Sequence, residues 1–255
     1  MTIKNIASSS SGNCTIIEAE NTIIMIDAGI SLKTILEKYG KSKDEFSIDA
    51  ILITHEHSDH VKGAGVVGRH TKAPIYIPEP SYEKRTELFK DCLINYIAGG
   101  DTFTINDELE ISVFNTKHDS EACVGFKIRE IKTNKCFGLL TDTGVITKLI
   151  KKSLEGCNAL FIESDYDEES LVKYAEYDDN LKERIRSPLG HLSNTQAIEY
   201  MKELDLENIE WIILGHLSHN TNSPELLLSY LEQEFEESIN QKLHIAKNEL
   251  LELTI

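Results

Sequence analysis

The sequence predicts an α/β chain in which sheets are sandwiched between helices and the polar ends of the strands converge at one sheet edge. Three observations predict it. Six apolar or β-branched runs stop at, or run on within a few residues to, a carboxylate or an imidazole. Four further stretches carry apolar residues at helical spacing. No repeat and no Pro/Gly-rich linker interrupts the 255 residues, so 1–255 reads as a single domain.

In chain order, Ile23–Ile26 stops at Asp27, residues 50–53 are followed by Thr54 and His55, and residues 111–114 run on through Asn115, Thr116 and Lys117 to His118. Residues 137–140 are followed by Thr141 and Asp142, residues 159–162 stop at Glu163, and residues 211–214 are followed by Gly215 and His216. Runs this apolar suit strands buried on both faces, which requires helices over the sheets. Residues 31–39 supply one such helix, stopped by Gly40 at a C′ position. Residues 147–154, 194–204 and 223–235 supply three more. Between 94 and 137, short β-like segments alternate with turns at Gly99-Gly100-Asp101 and Asn106-Asp107. Open sheets place their ligands at strand ends, and here those ends carry the metal-competent residues.

Composition excludes several classes. The 26 Lys+Arg against 43 Asp+Glu give a formal net charge of −17, which counts against broad basic coating of nucleic acid. A hydrophobic content of 40 % supports a real core. The longest apolar runs are four or five residues, far below the ~20 that cross a bilayer, and the N-terminus has no apolar signal region. No membrane association and a cytoplasmic protein are expected. Cys14, Cys92, Cys123, Cys136 and Cys157 are odd in number and lack C-x-x-C spacing, so they read as reduced packing residues.

The densest chemistry is His55-Glu56-His57-Ser58-Asp59-His60. Alternation lets His55 and His57 point the same way from an extended segment, while Asp59 and His60, as the chain turns into a helix, can face a second ion nearby. Imidazole and carboxylate without thiolate indicate zinc, manganese or iron.

This H-x-H-x-D-H spacing, after a strand that ends in Asp27, resembles the metallo-β-lactamase fold, an αββα four-layer sandwich whose halves meet at a binuclear metal site. His118 after a strand, Asp142 in Leu-Leu-Thr-Asp-Thr-Gly and His216 in Gly-His-Leu-Ser follow in the family's order. The resemblance spans about residues 8–222. It implies two divalent ions, with His55, His57 and His118 on one, Asp59, His60 and His216 on the other, and Asp142 bridging. It gives Asp27 a supporting role without metal contact, which matches the general need for acceptors that fix a ligating imidazole.

Two ions ~3.5–4 Å apart polarise an ester or phosphoester oxygen and hold a bridging water as hydroxide. This defines a hydrolase without its substrate. The stretches Ala7-Ser8-Ser9-Ser10-Ser11-Gly12-Asn13-Cys14, Glu163-Ser164-Asp165-Tyr166-Asp167 and Pro188-Leu189-Gly190-His191-Leu192-Ser193-Asn194 resemble the YycJ/WalJ-type branch, related to the nuclease and phosphodiesterase members. The Ser-rich stretch is either a hairpin lead-in or a place where backbone N–H groups and hydroxyls approach a phosphate. His191, just before a Ser193 N-cap, corresponds to a His that in nuclease relatives faces the scissile phosphate. It would stabilise developing charge or protonate the leaving oxygen, the alternative being a helix-start His without a catalytic role. Asp59 or Asp142 would orient the hydroxide. His219 is a fallback acid or alternative ligand, and His70 and His244 are surface or packing residues.

The chain departs from the branch's usual pattern at Tyr166, where some relatives carry an imidazole, and at Asn220-Thr221-Asn222, where the first Asn of a usual pair has moved. The chain has no room for a β-CASP insertion, so a long RNA-enclosing channel is not expected. The leading expectation is a phosphodiesterase acting on nucleic acid, a DNA exonuclease by preference. Against it stand a glyoxalase-like thioester or small phosphodiester hydrolase and a non-catalytic regulatory protein; nothing in the sequence names a protein partner, although the acidic run Glu232, Glu234, Glu236 and Glu237 could bind one. Residues 163–183 hold nine acidic and two basic residues, and residues 225–255 seven and two. Basic residues nevertheless flank the site: Lys62, Arg69 and Lys72; Lys148, Lys151 and Lys152; and Lys182, Arg184 and Arg186.

Overall fold

The computed structural model describes residues 1–247 and 249–255. Its first strands are β1 (Thr2–Ala7), β2 (Cys14–Glu18), β3 (Ile23–Ile26), β4 (Ala50–Leu52), β5 (Ile75–Pro78) and β6 (Ile94–Ile97). There follow β7 (Thr102–Ile105), β8 (Leu109–Asn115), β9 (Val124–Glu130), β10 (Cys136–Leu140), β11 (Ala159–Glu163), β12 (Trp211–Gly215), β13 (Leu243–Ile245) and β14 (Leu251–Thr254). They form two seven-stranded sheets, ordered β14-β1-β2-β3-β4-β5-β6 and β13-β12-β11-β10-β9-β8-β7. Both sheets follow one plan, an antiparallel meander that becomes parallel: β3 to β6 in the first and β10 to β13 in the second.

Among the described residues ten α-helices join them: α1 (Leu32–Tyr39), α2 (Ser58–Val61), α3 (Ala64–Thr71), α4 (Glu79–Glu83), α5 (Lys148–Leu154), α6 (Glu168–Lys173), α7 (Asp179–Arg186), α8 (Asn194–Lys202), α9 (Pro224–Glu234) and α10 (Glu237–Asn240). The expected helix starts Ser31, Thr147 and Ser223 are N-caps, accepting the N–H of Thr34, Ile150 and Leu226, which satisfies donors the helix leaves unpaired. Gly40 ends α1 at φ 74, the left-handed conformation that glycine adopts without a Cβ penalty. The capping box on Ser193 and Gln196 starts α8.

Strand alternation divides the core into three. Ile24 and Ile26, Ala50 and Leu52, Phe137 and Leu139, Phe161, and Trp211 and Ile213 face the other sheet. Their neighbours Met25, Ile51 and Ile53 pack on Ile35 of α1 and Val67 of α3. Leu140, Leu160, Ile162, Ile212 and Leu214 pack on α5, α8 and α9 through Ile150, Leu154, Met201 and Leu231. The result is the expected sandwich of helix, sheet, sheet and helix. Helix α7 has no buried residue and only Leu181 and Ile185 at helical spacing, so its apolar signal is short, and β1 is likewise too polar in alternation to stand out.

Phe161 sits in the middle of the contact between the sheets at 2 % exposure. Phe161→Ala is expected to cost about 3–5 kcal/mol, read as a lower urea midpoint at unchanged slope.

Candidate metal centre

Three of the strand ends that carry candidate residues stop in the same way. Asp27 directly after β3, Asp142 two residues after β10 and His216 directly after β12 have φ values of 56, 52 and 59. Asp and His enter this left-handed region more readily than most residues, but the conformation still costs about 1–3 kcal/mol per site. Surrounding contacts hold each one there. The Asp27 N–H donates to Leu52 O at 2.8 Å, and the His216 N–H donates to the Ser8 hydroxyl at 2.6 Å.

Asp27 and Thr54 form a bracket under the first motif. Asp27 Oδ1 accepts the Thr54 N–H at 2.9 Å, and Oδ2 lies 2.7 Å from His60 Nδ1. The Thr54 hydroxyl lies 3.1 Å from His55 Nδ1. His118 Nδ1 donates to Gly190 O at 3.0 Å, and His216 Nδ1 lies 3.1 Å from Glu163 Oε1. Contacts at Nδ1 of His55, His60 and His118, and the nearness of Glu163 to His216 Nδ1, leave Nε2 of each ring for a common centre. His57 instead presents Nδ1, 3.2 Å from His118 Nε2.

Two triads result. The ligand atoms of His55, His57 and His118 lie within 4.8 Å of one another, as do those of Asp59, His60 and His216. Asp142 lies between them: Oδ2 is 3.2 Å from His60 Nε2, and Oδ1 is 3.6 Å from both His118 Nε2 and His216 Nε2. Asp59 Oδ2 is 3.2 Å from His60 Nε2 and 3.5 Å from His216 Nε2, and the Asn13 amide reaches it at 3.3 Å.

The protonation pattern follows from this crowding. Burial pushes His55 well below its ordinary pKa, reinforced by His60. Burial also opposes charge on His60 and His216, but the carboxylates around them, Asp142 foremost, hold both well above the ordinary value. Asp142 is held well below the usual carboxylate range against its burial, by His216, His60 and His55. Burial pushes Asp165 up to about 6.

The residues present fit divalent cations. His55 Nε2 and Asp142 Oδ2 are buried and have no hydrogen-bond partner, although both face the cluster. Orphaned buried acceptors are costly, and a cation bound by nitrogen and carboxylate oxygen satisfies them. The donor set, five imidazoles and two carboxylates without thiolate, suits borderline metals.

His191 is brought to the same place. Its Nδ1 lies 2.6 Å from Glu163 Oε1 and 3.7 Å from Asp142 Oδ1. Against the effect of burial, the carboxylates of Asp165 and Glu163 hold its pKa up to about 9. Glu163 is the principal residue that sequence reasoning left without a role. It is fully buried, orients both His191 and His216, and accepts the N–H of Thr143 at 2.9 Å. Its signal was present, since it ends β11 as Asp27 follows β3.

Other candidates fall outside the cluster. His219 is exposed on the rim of a cavity of about 240 Å³ shared with Ser8 and Leu217. His70 stacks on Phe46 and donates through Nε2 to the Lys43 carbonyl at 2.9 Å, and His244 lies in β13. Tyr166 is buried and bridges to Ser193. Asn222 ties Ser164 O and Asp165 O to Asn194, while Asn220 reaches the Tyr177 hydroxyl. Within the Ser-rich stretch, Ser8 supports His216 and Ser9 binds Asn13 and Ser11, so these groups are engaged in building the site. Glu56 holds Ser81 and the Glu121 N–H. All five cysteines are free. Among the described residues, no helix is long and apolar enough to cross a membrane.

A family model described as "Beta-lactamase superfamily domain" matches residues 22–216. The chain is 30% identical to exodeoxyribonuclease YycJ of Bacillus anthracis, covering 91% of this chain and 88% of that protein. It is 34% identical to exodeoxyribonuclease WalJ of Streptococcus pneumoniae serotype 2 (strain D39 / NCTC 7466), covering 87% and 83%. Among solved structures it is similar to the metallo-beta-lactamase fold protein YhfI from Bacillus subtilis, with TM-score 0.74, 18% identity and 99% of both chains covered. It is also similar to Zn(2+)-bound PqqB from Methylobacterium extorquens, with TM-score 0.73, 15% identity and 100% of both chains covered.

The second triad depends on a close approach at Gly29, where a Cβ would stand 1.5 Å from Asp59 O. Gly29→Ala is therefore expected to destabilise the chain by about 1–3 kcal/mol, measured by urea unfolding.

Proposed function

The chain belongs to the beta-lactamase superfamily, as a metallo-β-lactamase-fold member of the YycJ/WalJ branch, and from that membership we propose that it is a binuclear metal-dependent phosphodiesterase acting on nucleic acid, specifically a DNA exonuclease. The observation that carries the reading is the pair of three-residue sets meeting at a buried Asp142. Two relatives at 30% and 34% identity named as exodeoxyribonucleases support the choice of DNA. In this reading His55, His57 and His118 hold one ion of zinc, manganese or iron, Asp59, His60 and His216 hold the other, and Asp142 serves both. Ions bound there supply Lewis acidity toward phosphoester oxygens and a water-derived nucleophile at neutral pH.

The chain's own residues do the rest. Asp59, with one oxygen toward His60 and His216, is placed to orient the attacking water. Glu163 accepts from His191 Nδ1, which fixes the ring and leaves Nε2–H for the leaving oxygen or for charge developing on phosphorus. Asp27 and Thr54 hold His60 and His55 so that the first motif does not reorganise during the reaction.

Protein supplied with manganese or zinc is expected to shorten end-labelled DNA, while His191→Ala lowers kcat by about 10²–10⁴-fold with metal content unchanged. Failure to cleave DNA or RNA with both ions shown bound by elemental analysis overturns the reading. Binding is expected to weaken gently with salt, with a log–log slope of about −3, or roughly three phosphates neutralised; a slope corresponding to about ten contradicts capture by metals and a short cationic rim.

A further inference from the structure

The two sheets end in β6 and β7 on one side of the sandwich, where Tyr76 of β5 stacks on Phe103 of β7, and in β14 and β13 on the other, where Trp211 of β12 donates to Thr254 O. A free sheet edge invites pairing with another chain, and folded proteins blunt it with charge, proline or a very short strand. One side is blunted in this way. β14 carries Glu252, paired with Lys4 of β1 at 3.4 Å, and β13 spans three residues. The other side is not. β6 reads Ile-Asn-Tyr-Ile and β7 reads Thr-Phe-Thr-Ile, without a charge or a proline in either. The ladder determines which groups of β6 are left over. The Ile75 N–H donates to Leu93 O at 2.8 Å and Ile75 lies opposite Ile94 in a parallel register, so Leu93, Asn95 and Ile97 turn their backbone groups toward β5. The N–H and C=O of Ile94 and Tyr96 then point outward, and among the described residues they have no partner. The edge is also apolar: Leu93 is 62% exposed and Tyr96 52%, with the Tyr96 ring edge-on to Tyr82 at 5.5 Å.

We propose that a second copy of this chain covers this edge, with β6 of one copy pairing antiparallel to β6 of the other about a two-fold axis at Asn95. In that register Ile94 of each copy lies opposite Tyr96 of the other, and each such pair exchanges both of its N–H···O bonds. Every outward backbone group of Ile94 and Tyr96 is then satisfied, and a β-branched side chain meets an aromatic one across the strands. Asn95 faces itself at the axis, its backbone groups staying with β5. Charge favours this side of the molecule. With 26 Lys+Arg against 43 Asp+Glu, two copies repel wherever their acidic surfaces meet, and β6 and β7 add no charge to a contact. An added peptide strand covers β6 alone, whereas a second sandwich also turns its own β7 toward β7. A two-fold contact is self-limiting as well, because it uses the same surface on both copies. Since the paired strands run in opposite directions, the two metal centres, at strand C-terminal ends, open at opposite ends of the pair and neither is covered. The proposal is independent of the nuclease reading.

Sedimentation velocity of the full chain over about 1–100 μM is expected to show a species of twice the chain mass that gains population with concentration. Hydrogen exchange reads the edge itself: the Ile94 and Tyr96 amides are expected to exchange about tenfold more slowly at the upper concentration than at the lower, and this measurement on wild type decides without any variant. Tyr96→Lys places a charge on the edge, and Tyr96→Pro removes only an outward N–H. Each is expected to raise the dissociation constant by about a hundredfold with the urea midpoint near that of wild type, because Tyr96 is half-exposed. Leu228→Lys, at an exposed position of α9, is expected to associate as wild type does. A chain monomeric throughout the range overturns the proposal, including one whose Ile94 and Tyr96 amides are protected only by an added foreign protein. So does a dimer that survives both Tyr96 variants, is broken equally by Leu228→Lys, or leaves the Ile94 and Tyr96 amides unprotected.

Discussion

A carboxylate at 2% exposure, Asp142, lies among imidazoles that are themselves buried, and much of the molecule is arranged so that this is tolerable. A lone buried charge costs far more than a domain's net stability. Asp142 is held by rings on three sides, and those rings are in turn held by Asp27, Thr54, Glu163 and the Gly190 carbonyl. Each support comes from a different strand end or loop. Losing one leaves a buried polar group with its full desolvation penalty, so the cluster stands or falls as a network.

That network constrains the sheets more than the reverse. The strands facing it are apolar throughout and become polar only at their ends, because both faces are covered by the partner sheet or by helices. A shift of register by one residue would exchange Ile24 and Ile26 for Met25 on the inner face and carry Asp27 to the wrong side. The left-handed turn at Asp27, Asp142 and His216 is the local device that ends each strand abruptly. It is unfavourable by itself and persists because the ring contacts determine it from several directions.

The clustered histidines and aspartates were legible because so few residue types can do this chemistry and because strand alternation restricts where they point. His55, His57, Asp59 and His60 announce themselves within six residues, and His118, Asp142 and His216 each follow an apolar run. Glu163 obeyed the same rule, but nothing local shows that its carboxylate faces the His191 and His216 rings, which come from elements far along the chain. Asp119, Arg184 and α7 were not legible in this sense. Their meeting depends on how a helix with no fully buried residue settles beside a loop 65 residues earlier, and no local pattern encodes that. Of the flanking cations, Arg69 spends its guanidinium on Leu88 and Lys90 carbonyls, and Lys151 pairs with Glu203, so part of the basic count along the sequence is used within the fold.

The acidic total has to be reinterpreted in the same terms. Of the nine acidic residues in 163–183, Glu163, Asp165 and Asp167 are buried. Glu163 serves His191 and His216, Asp165 sits beside them, and Asp167 caps α6 while accepting from the Tyr230 hydroxyl. These charges are balanced within the fold and contribute little to the field at a distance, because a buried carboxylate facing an imidazole or a cation is largely neutralised where it stands. Formal charge therefore overstates the repulsion a polyanion meets here. What a phosphate encounters on approach is decided locally, by a cluster of imidazoles and carboxylates whose buried, unpartnered atoms call for cations.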